Sequence, residues 1–194
     1  MKKILLTYFD AYQRPFIDLL QKNTTEAIHV INLQNFSQTK NYSTYMEQNF
    51  KYNYESWLHF APVEQEQYFS DIQLQHWGKA QFEQIDSAYL ILGFLTTNEL
   101  LRYGASCIFI GNVVGVTGNG PFTNSVFSSS LQSFVKGSSK QLPIKSYCLL
   151  LKDDFWQQQQ DVQDVITMIH FLRSLRGKLL EGQSFILDGG DHIA

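Results

Sequence analysis

The stretch Ile108–Leu142, IFIGNVVGVTGNGPFTNSVFSSSLQSFVKGSSKQL, decides the fold. Three apolar residues, Ile108–Ile110, run into a Gly/Asn/Thr loop and then into a serine-rich segment with helical spacing. A strand, a long loop and a helix in that order set the loop beyond the strand's carboxyl end. An open α/β sheet holds its active site there. The spacing predicts a helix over Ser128–Leu142, although Gly137 and the serines lower its propensity.

Working upstream, Ala105–Ile110 reads as the strand. Trp77–Arg102 reads as one long helix, with Ala80, Gln84, Ala88, Ile91 and Leu95 along a face and Leu100 and Leu101 extending it. Gly104 is then the expected stop. Ser56–Ala61 is a strand, and Pro62 to His76 a loop with a helix start at Asp71. Gln34 to Asn53 is polar and aperiodic, though Met46 and Phe50 mark a possible short helix. Lys3–Thr7 and Ala27–Leu33 are strands flanking a helix over Pro15–Gln21, with Pro15 suited to its first turn. Downstream, Ile144–Leu151 and Ser184–Leu187 are strands, separated by an amphipathic helix over Asp161–Leu175. Strands alternating with helices predict one domain over residues 1–194. It is α/β, a doubly wound, mostly parallel sheet in a Rossmann-like three-layer α/β/α sandwich with right-handed crossovers.

The composition narrows the function. The chain has 194 residues, 44% hydrophobic and 17% charged, which suits a folded core. A net charge of −3 offers no nucleic-acid footprint. The apolar run in MKKILLTYFD is too short for a signal peptide or a membrane span, so a cytoplasmic protein is expected. Cys107 and Cys148 lie in apolar strands and read as buried free thiols. No Cys/His spacing suggests a metal site, so none is expected. Asp188, Asp191 and His192 resemble a metal cluster only superficially, since an Asp-Gly-Gly turn accounts for Asp188. Ser128–Ser130 with His170 could suggest a nucleophile and its base, but serine caps helices and the hydrolase elbow is absent. Tyr42, Tyr45, Phe50, Tyr52, Tyr54 and Trp57 could line a pocket; packing over the sheet edge is the plainer reading.

Several segments resemble the short-chain dehydrogenase/reductase family, closest in pattern to the ketoacyl-acyl-carrier-protein reductases. Glu181–Gly190, EGQSFILDGG, resembles the family's ending in Asp-Gly-Gly, and His170–Ser174 the segment before it. Gly111–Asn124 is similar to the reductases' loop after the central strand. Trp77 and its helix resemble the family's Trp-bearing helix. His59-Phe60-Ala61-Pro62 stands where the family has Asn-Asn-Ala-Gly.

The resemblance also shows what is missing. The family's Thr-Gly-x-x-x-Gly-x-Gly aligns with Thr7–Arg14, so Tyr8, Tyr12 and Arg14 replace the three glycines that let a pyrophosphate approach the backbone. Asp10 adds a negative charge, while Arg14 alone could instead hold a phosphate. Asn32 replaces the ribose-binding acid, and Ala61-Pro62 replaces Ala-Gly. The family's catalytic Ser, Tyr and Lys align with Asn112, Ser125 and Ser129, or with Asn124 and Ser128 in a register one residue shorter. Its relay Asn aligns with Gln84. The chemistry needs a phenol tuned by a nearby cation, yet none of the ten tyrosines has a lysine four residues later.

Leu33 to Trp57 is too short for the family's helix, strand and helix, so a lost strand and a shortened sheet edge are expected. Lys152–Gln160 leaves little chain for a substrate lid. The resemblance implies a degenerate relative with no bound cofactor. Its expected role is as a homo-oligomer, dimer or tetramer, or as partner of an active paralogue through Trp77–Arg102, Ser128–Leu142 and Ser184–Leu187. The alternatives are an atypical NAD- or NADP-dependent oxidoreductase acting on an acyl or keto substrate, and a small-molecule binding protein using the vacated cleft.

Overall fold

The computed structural model describes residues 3–9, 13–36, 38–39, 41–62, 74–113, 122–152, 155 and 159–190. Apolar, β-branched runs form the strands β1 (Lys3–Tyr8), β2 (Ala27–Asn32), β3 (Tyr54–Phe60), β4 (Leu101–Asn112), β5 (Lys145–Leu151) and β6 (Ser184–Leu187). They make one sheet in the order β2-β1-β3-β4-β5-β6, and all five pairings are parallel. β1, β3 and β5 are buried along nearly their whole length. This is the expected state of parallel strands covered on both faces.

The helices are α1 (Arg14–Lys22), α2 (Tyr42–Asn49), α3 (Leu74–Gln81), α4 (Ser87–Thr97), α5 (Phe122–Gln141) and α6 (Gln159–Ser174). Side-chain alternation along the strands divides the core between the two faces of the sheet. Leu5, Trp57, Cys107, Phe109 and Leu150 pack against α2, α4 and α5. Ile4, Leu6, Leu58, Ile108 and Leu149 pack against α1 and α6. The doubly wound α/β sandwich read from the sequence is therefore the observed fold. β2 forms one edge of the sheet, and α2 is the only helix or strand among the described residues between Asn32 and Tyr54. Phe36, Tyr42 and Tyr45 pack together with Phe82, Phe50 is buried, and Tyr54 and Trp57 are fully buried. Five of the six rings pack over that side of the sheet, as the plainer reading had it, whereas Tyr52 is 42% exposed with Lys3 Nζ over its face.

The long helix is corrected. It does not run from Trp77 to Arg102: α3 and α4 are joined by a π-helical segment, Phe82–Asp86, and α4 stops at Thr97. Nor does Gly104 end it. The Leu100 N–H bonds to the Leu95 carbonyl and the Glu99 N–H to the Thr96 carbonyl, with Glu99 at φ 54°. That is the Schellman arrangement with Glu99 in glycine's usual place, and no residue type announces it. Leu101 and Arg102 already belong to β4. Gly104, at φ +74°, lies inside β4, where the register slips: Tyr54 pairs with Leu101 but Ser56 with Ser106. Four residues of β4 therefore bulge out opposite Glu55 alone.

α5 begins earlier than expected and continues through Gly137 to Gln141. Burial of Val135 and the bond from Ser138 Oγ to Ser146 Oγ (2.9 Å) override the local propensity. Cys107 and Cys148 are buried free thiols. Burial raises both pKa values, that of Cys148 to about 12, so neither is poised to react. The Asp71 helix start, Asp191 and His192 lie outside the described residues.

Candidate functional site

The strand order reverses between β1 and β3, so the crevice of this fold opens beyond the carboxyl ends of these strands. Tyr8 ends β1 and is buried among Ile4, Phe16 and Phe60 rather than open to a ligand. Arg14 opens α1, and its Nε lies 2.9 Å from Asp18 one turn on. The Tyr8 hydroxyl, then Asp18, raise the Arg14 pKa. The Arg14 charge thus already has a carboxylate beside it. Tyr12 and Asp10 lie outside the described residues.

Ala61 and Pro62 are buried just past β3. The Ala61 N–H donates to the Ile110 carbonyl (2.9 Å), and the Ala61 carbonyl accepts from Gln13 Nε2 (3.3 Å). Sequence reasoning missed Gln13, which immediately precedes α1 and is 6% exposed. Its Oε1 is buried with no partner among the described residues. A cavity of about 20 Å³ between Gln13, Phe60, Ala61, Gly111 and Leu151 has room for one water. Asn32 is exposed; its side chain accepts the Gln34 N–H, and its carbonyl accepts the Tyr45 hydroxyl.

At the end of β4, Asn112 is buried and its carbonyl accepts Ser128 Oγ at 2.9 Å. Gln84 sits on the π segment, 4% exposed, and its Nε2 donates to Asn124 Oδ1 at 3.3 Å. Wide turns of this kind re-aim a helix face, and here the re-aimed residue meets α5. Of the aligned α5 positions, Asn124 and Ser128 are the two turned inward, at 1% and 3% exposure. Ser125 is half-buried, and the exposed Ser129 donates its hydroxyl to the Ser125 carbonyl. The group assembled here is therefore Gln84, Asn112, Asn124 and Ser128. Amides and a hydroxyl of this kind orient a ligand by hydrogen bonds, but none titrates near neutral pH. Ser128–Ser130 and His170 sit on helices packed against opposite faces of the sheet, which ends the nucleophile-and-base reading. Asp188 Oδ1 accepts the Gly190 N–H at 2.9 Å, with Gly189 and Gly190 at positive φ, so the turn accounts for it.

A buried polar group lies beneath this edge, joining β1 to β3. Trp57 Nε1 donates to Thr7 Oγ1 (2.9 Å), and Thr7 Oγ1 lies 2.8 Å from His59 Nδ1. An indole N–H only donates, so Thr7 Oγ1 accepts it, and the same hydroxyl is the hydrogen-bond partner of His59 Nδ1. The other ring nitrogen, Nε2, is a buried atom without a partner among the described residues. Burial lowers the His59 pKa from 6.5 to about 3. Two buried polar residues on neighbouring strands were the only available signal. Among the described residues no group of three His, Cys, Asp or Glu could hold a metal, and no helix is long and apolar enough to cross a membrane.

No family model and no curated protein sequence matches the chain. Solved structures do resemble it. A short chain dehydrogenase family protein from Francisella tularensis subsp. tularensis SCHU S4 superposes with a TM-score of 0.79 at 15% identity, covering 100% of both chains. A small-chain dehydrogenase solved in complex with NADPH gives 0.77 at 12% identity, covering 100% of this chain and 99% of that one. A short-chain dehydrogenase/reductase, named a glucose/ribitol dehydrogenase, from Brucella melitensis gives 0.71 at 12% identity over 97% and 95%. Likeness of this kind, over the whole chain and at such low identity, speaks for architecture: the protein has the fold of the short-chain dehydrogenases.

Proposed function

We propose that this chain is a degenerate short-chain dehydrogenase/reductase-like protein that has given up dinucleotide chemistry and acts by association, with a second copy of itself or with an active paralogue. The observation that carries this reading is the state of the catalytic positions. Gln84 Nε2 bonds to Asn124 Oδ1 and Ser128 Oγ to the Asn112 main-chain carbonyl, so these buried side chains are held by the protein itself. Neither a phenol nor an ammonium is among them, and general acid/base work on a carbonyl needs such a pair. Tyr8 and Arg14, aligned with two of the family's glycines, are here a ring packed into the core and a cation paired with Asp18.

The outer face of α4 and α5 supports association. α4, SAYLILGFLTT, carries no charged residue. Its exposed side presents Tyr89, 68% exposed, and Gly93, with Ser129 and Ser133 on α5. Small, uncharged residues let two helices approach closely, and an exposed tyrosine is a suitable anchor. A second copy is the simplest occupant, because a two-fold axis pairs such a face with itself.

Two measurements test the reading separately. Titrating NADPH and NADH while following nicotinamide fluorescence is expected to give no saturable signal in the micromolar range; saturation there would return the chain to the oxidoreductases acting on acyl or keto substrates. Sedimentation or light scattering is expected to find a dimer or tetramer, and Tyr89→Asp to shift it towards monomer. A wild-type monomer at high concentration, with no associated paralogue, would remove the association half of the proposal.

A further inference from the structure

The bulge in β4 opens a second polar cleft at the other end of the strands. Its walls are the amino-terminal ends of β3, β4 and β5 and the carboxyl end of α6, and its volume is about 500 Å³. Four cations line it, Arg102, Lys145, Arg173 and Arg176, against two carboxylates, Glu26 and Glu55. The excess of two positive charges is the reverse of the chain's net charge of −3. The carboxyl end of α6 offsets only about half a charge through its dipole.

Arg173 is the pre-set element. Its side chain is 11% exposed and pairs through Nη2 with Glu26 Oε2. Its Nε donates to Ser56 Oγ at 2.8 Å. A guanidinium has five N–H donors, so three remain without a partner among the described residues. Lys145 Nζ donates to the Leu175 carbonyl, which leaves two more of its donors. Arg176 is exposed and has no partner among the described residues. The β4 bulge makes the room: Gly104 reverses the backbone at φ +74°, and nothing lies within 4 Å of where its Cβ would be. Bulges of this kind recur beside binding sites because they re-aim a strand's side chains.

We propose that this cleft binds the phosphate dianion of a small phosphate monoester, held by Arg173, Lys145 and Arg176. A phosphate carries nearly two charges near neutral pH, which matches the excess. Its oxygens accept several N–H groups at once in the geometry a guanidinium offers. The buried pairing of Arg173 with Glu26 and Ser56 fixes the fork before a ligand arrives, so little side-chain freedom is lost on binding. This inference is independent of the association proposed above and concerns the opposite end of the sheet.

The test is an amide NMR titration of the full chain at constant ionic strength, with inorganic phosphate, glycerol phosphate and malonate as probes. Saturable shifts are expected at Gly104, Ser106 and Arg176 with both phosphates. Arg176→Ala and Lys145→Met should each weaken binding about ten- to a hundredfold, the loss expected for one charge-assisted hydrogen bond. Arg176 is exposed, so its variant should keep the wild-type spectrum elsewhere. Linear shifts without saturation, or wild-type affinity in both variants, would overturn the site. Tighter binding of malonate than of glycerol phosphate would overturn the phosphate assignment.

Discussion

The protein should lose about 2 kcal/mol of stability between neutral pH and pH 5 through His59 alone. His59 is fully buried, and burial holds its folded-state pKa at about 3 against 6.5 in the unfolded chain. Between those two values the unfolded state binds the proton and the folded state does not. Stability therefore rises with pH across this window, is complete above 6.5, and falls as the pH drops towards 3. At pH 5 the linkage relation for that pair of values is worth about 2 kcal/mol. His29, whose pKa is also lowered by partial burial and by Lys3, adds a smaller effect of the same sign. Denaturant midpoints measured from pH 7.5 to 5 in wild type and in His59→Phe separate the two. The variant starts less stable, because the Thr7 hydroxyl loses its hydrogen-bond partner, but its pH slope should be much shallower. Equal slopes in the two proteins would show that His59 does not carry the linkage.

Trp57→Ala should be the most damaging single substitution, at about 4 kcal/mol. The indole is fully buried in the central strand. It makes an edge contact with Phe109 at 5.1 Å between ring centroids and lies 5.5 Å from the His59 ring. Truncation leaves a cavity in the face that receives α4 and α5, and it removes the Nε1 donor to Thr7. Trp57→Phe fills most of that space and loses only the hydrogen bond, so its cost should be nearer 1–2 kcal/mol. Urea unfolding of the two variants distinguishes packing from hydrogen bonding. A Trp57→Ala cost below that of Trp57→Phe would sink the account.

The fold was legible because its signals are local and repeated. Ile4–Leu6 and Tyr147–Leu151 are uninterrupted apolar runs, of the kind that a parallel sheet covered on both faces buries. The helix stop at Glu99 was not legible, since a Schellman turn usually advertises itself with glycine and this one does not. Gly104 drew the eye instead, and it serves a bulge whose partner, Glu55, is 49 residues away in sequence. The π turn at Gln84 was hidden for a similar reason. Its spacing fits an α-helix, and what distinguishes it is the contact that this segment and α3 make with α5.

At the candidate site the sequence by itself determined only that no Tyr-x-x-x-Lys pair is present. That no tyrosine is followed by a lysine one helical turn later is a fact of residue order, and no folding alters it. The alternation of strand and helix likewise determined the layers. Only the tertiary structure decided which residues meet. Ser125 and Ser129 stay outward while Asn124 and Ser128 turn in, because a shift of one residue on a helix rotates a side chain by about 100°. The Thr7–Trp57–His59 group joins β1 to β3 across some fifty residues, and the basic cleft gathers side chains from β3, β4, β5 and α6. Side chains so far apart in sequence become neighbours only when the strands pair. Register and helix rotation, both set by packing across the whole sheet, therefore decide the sites.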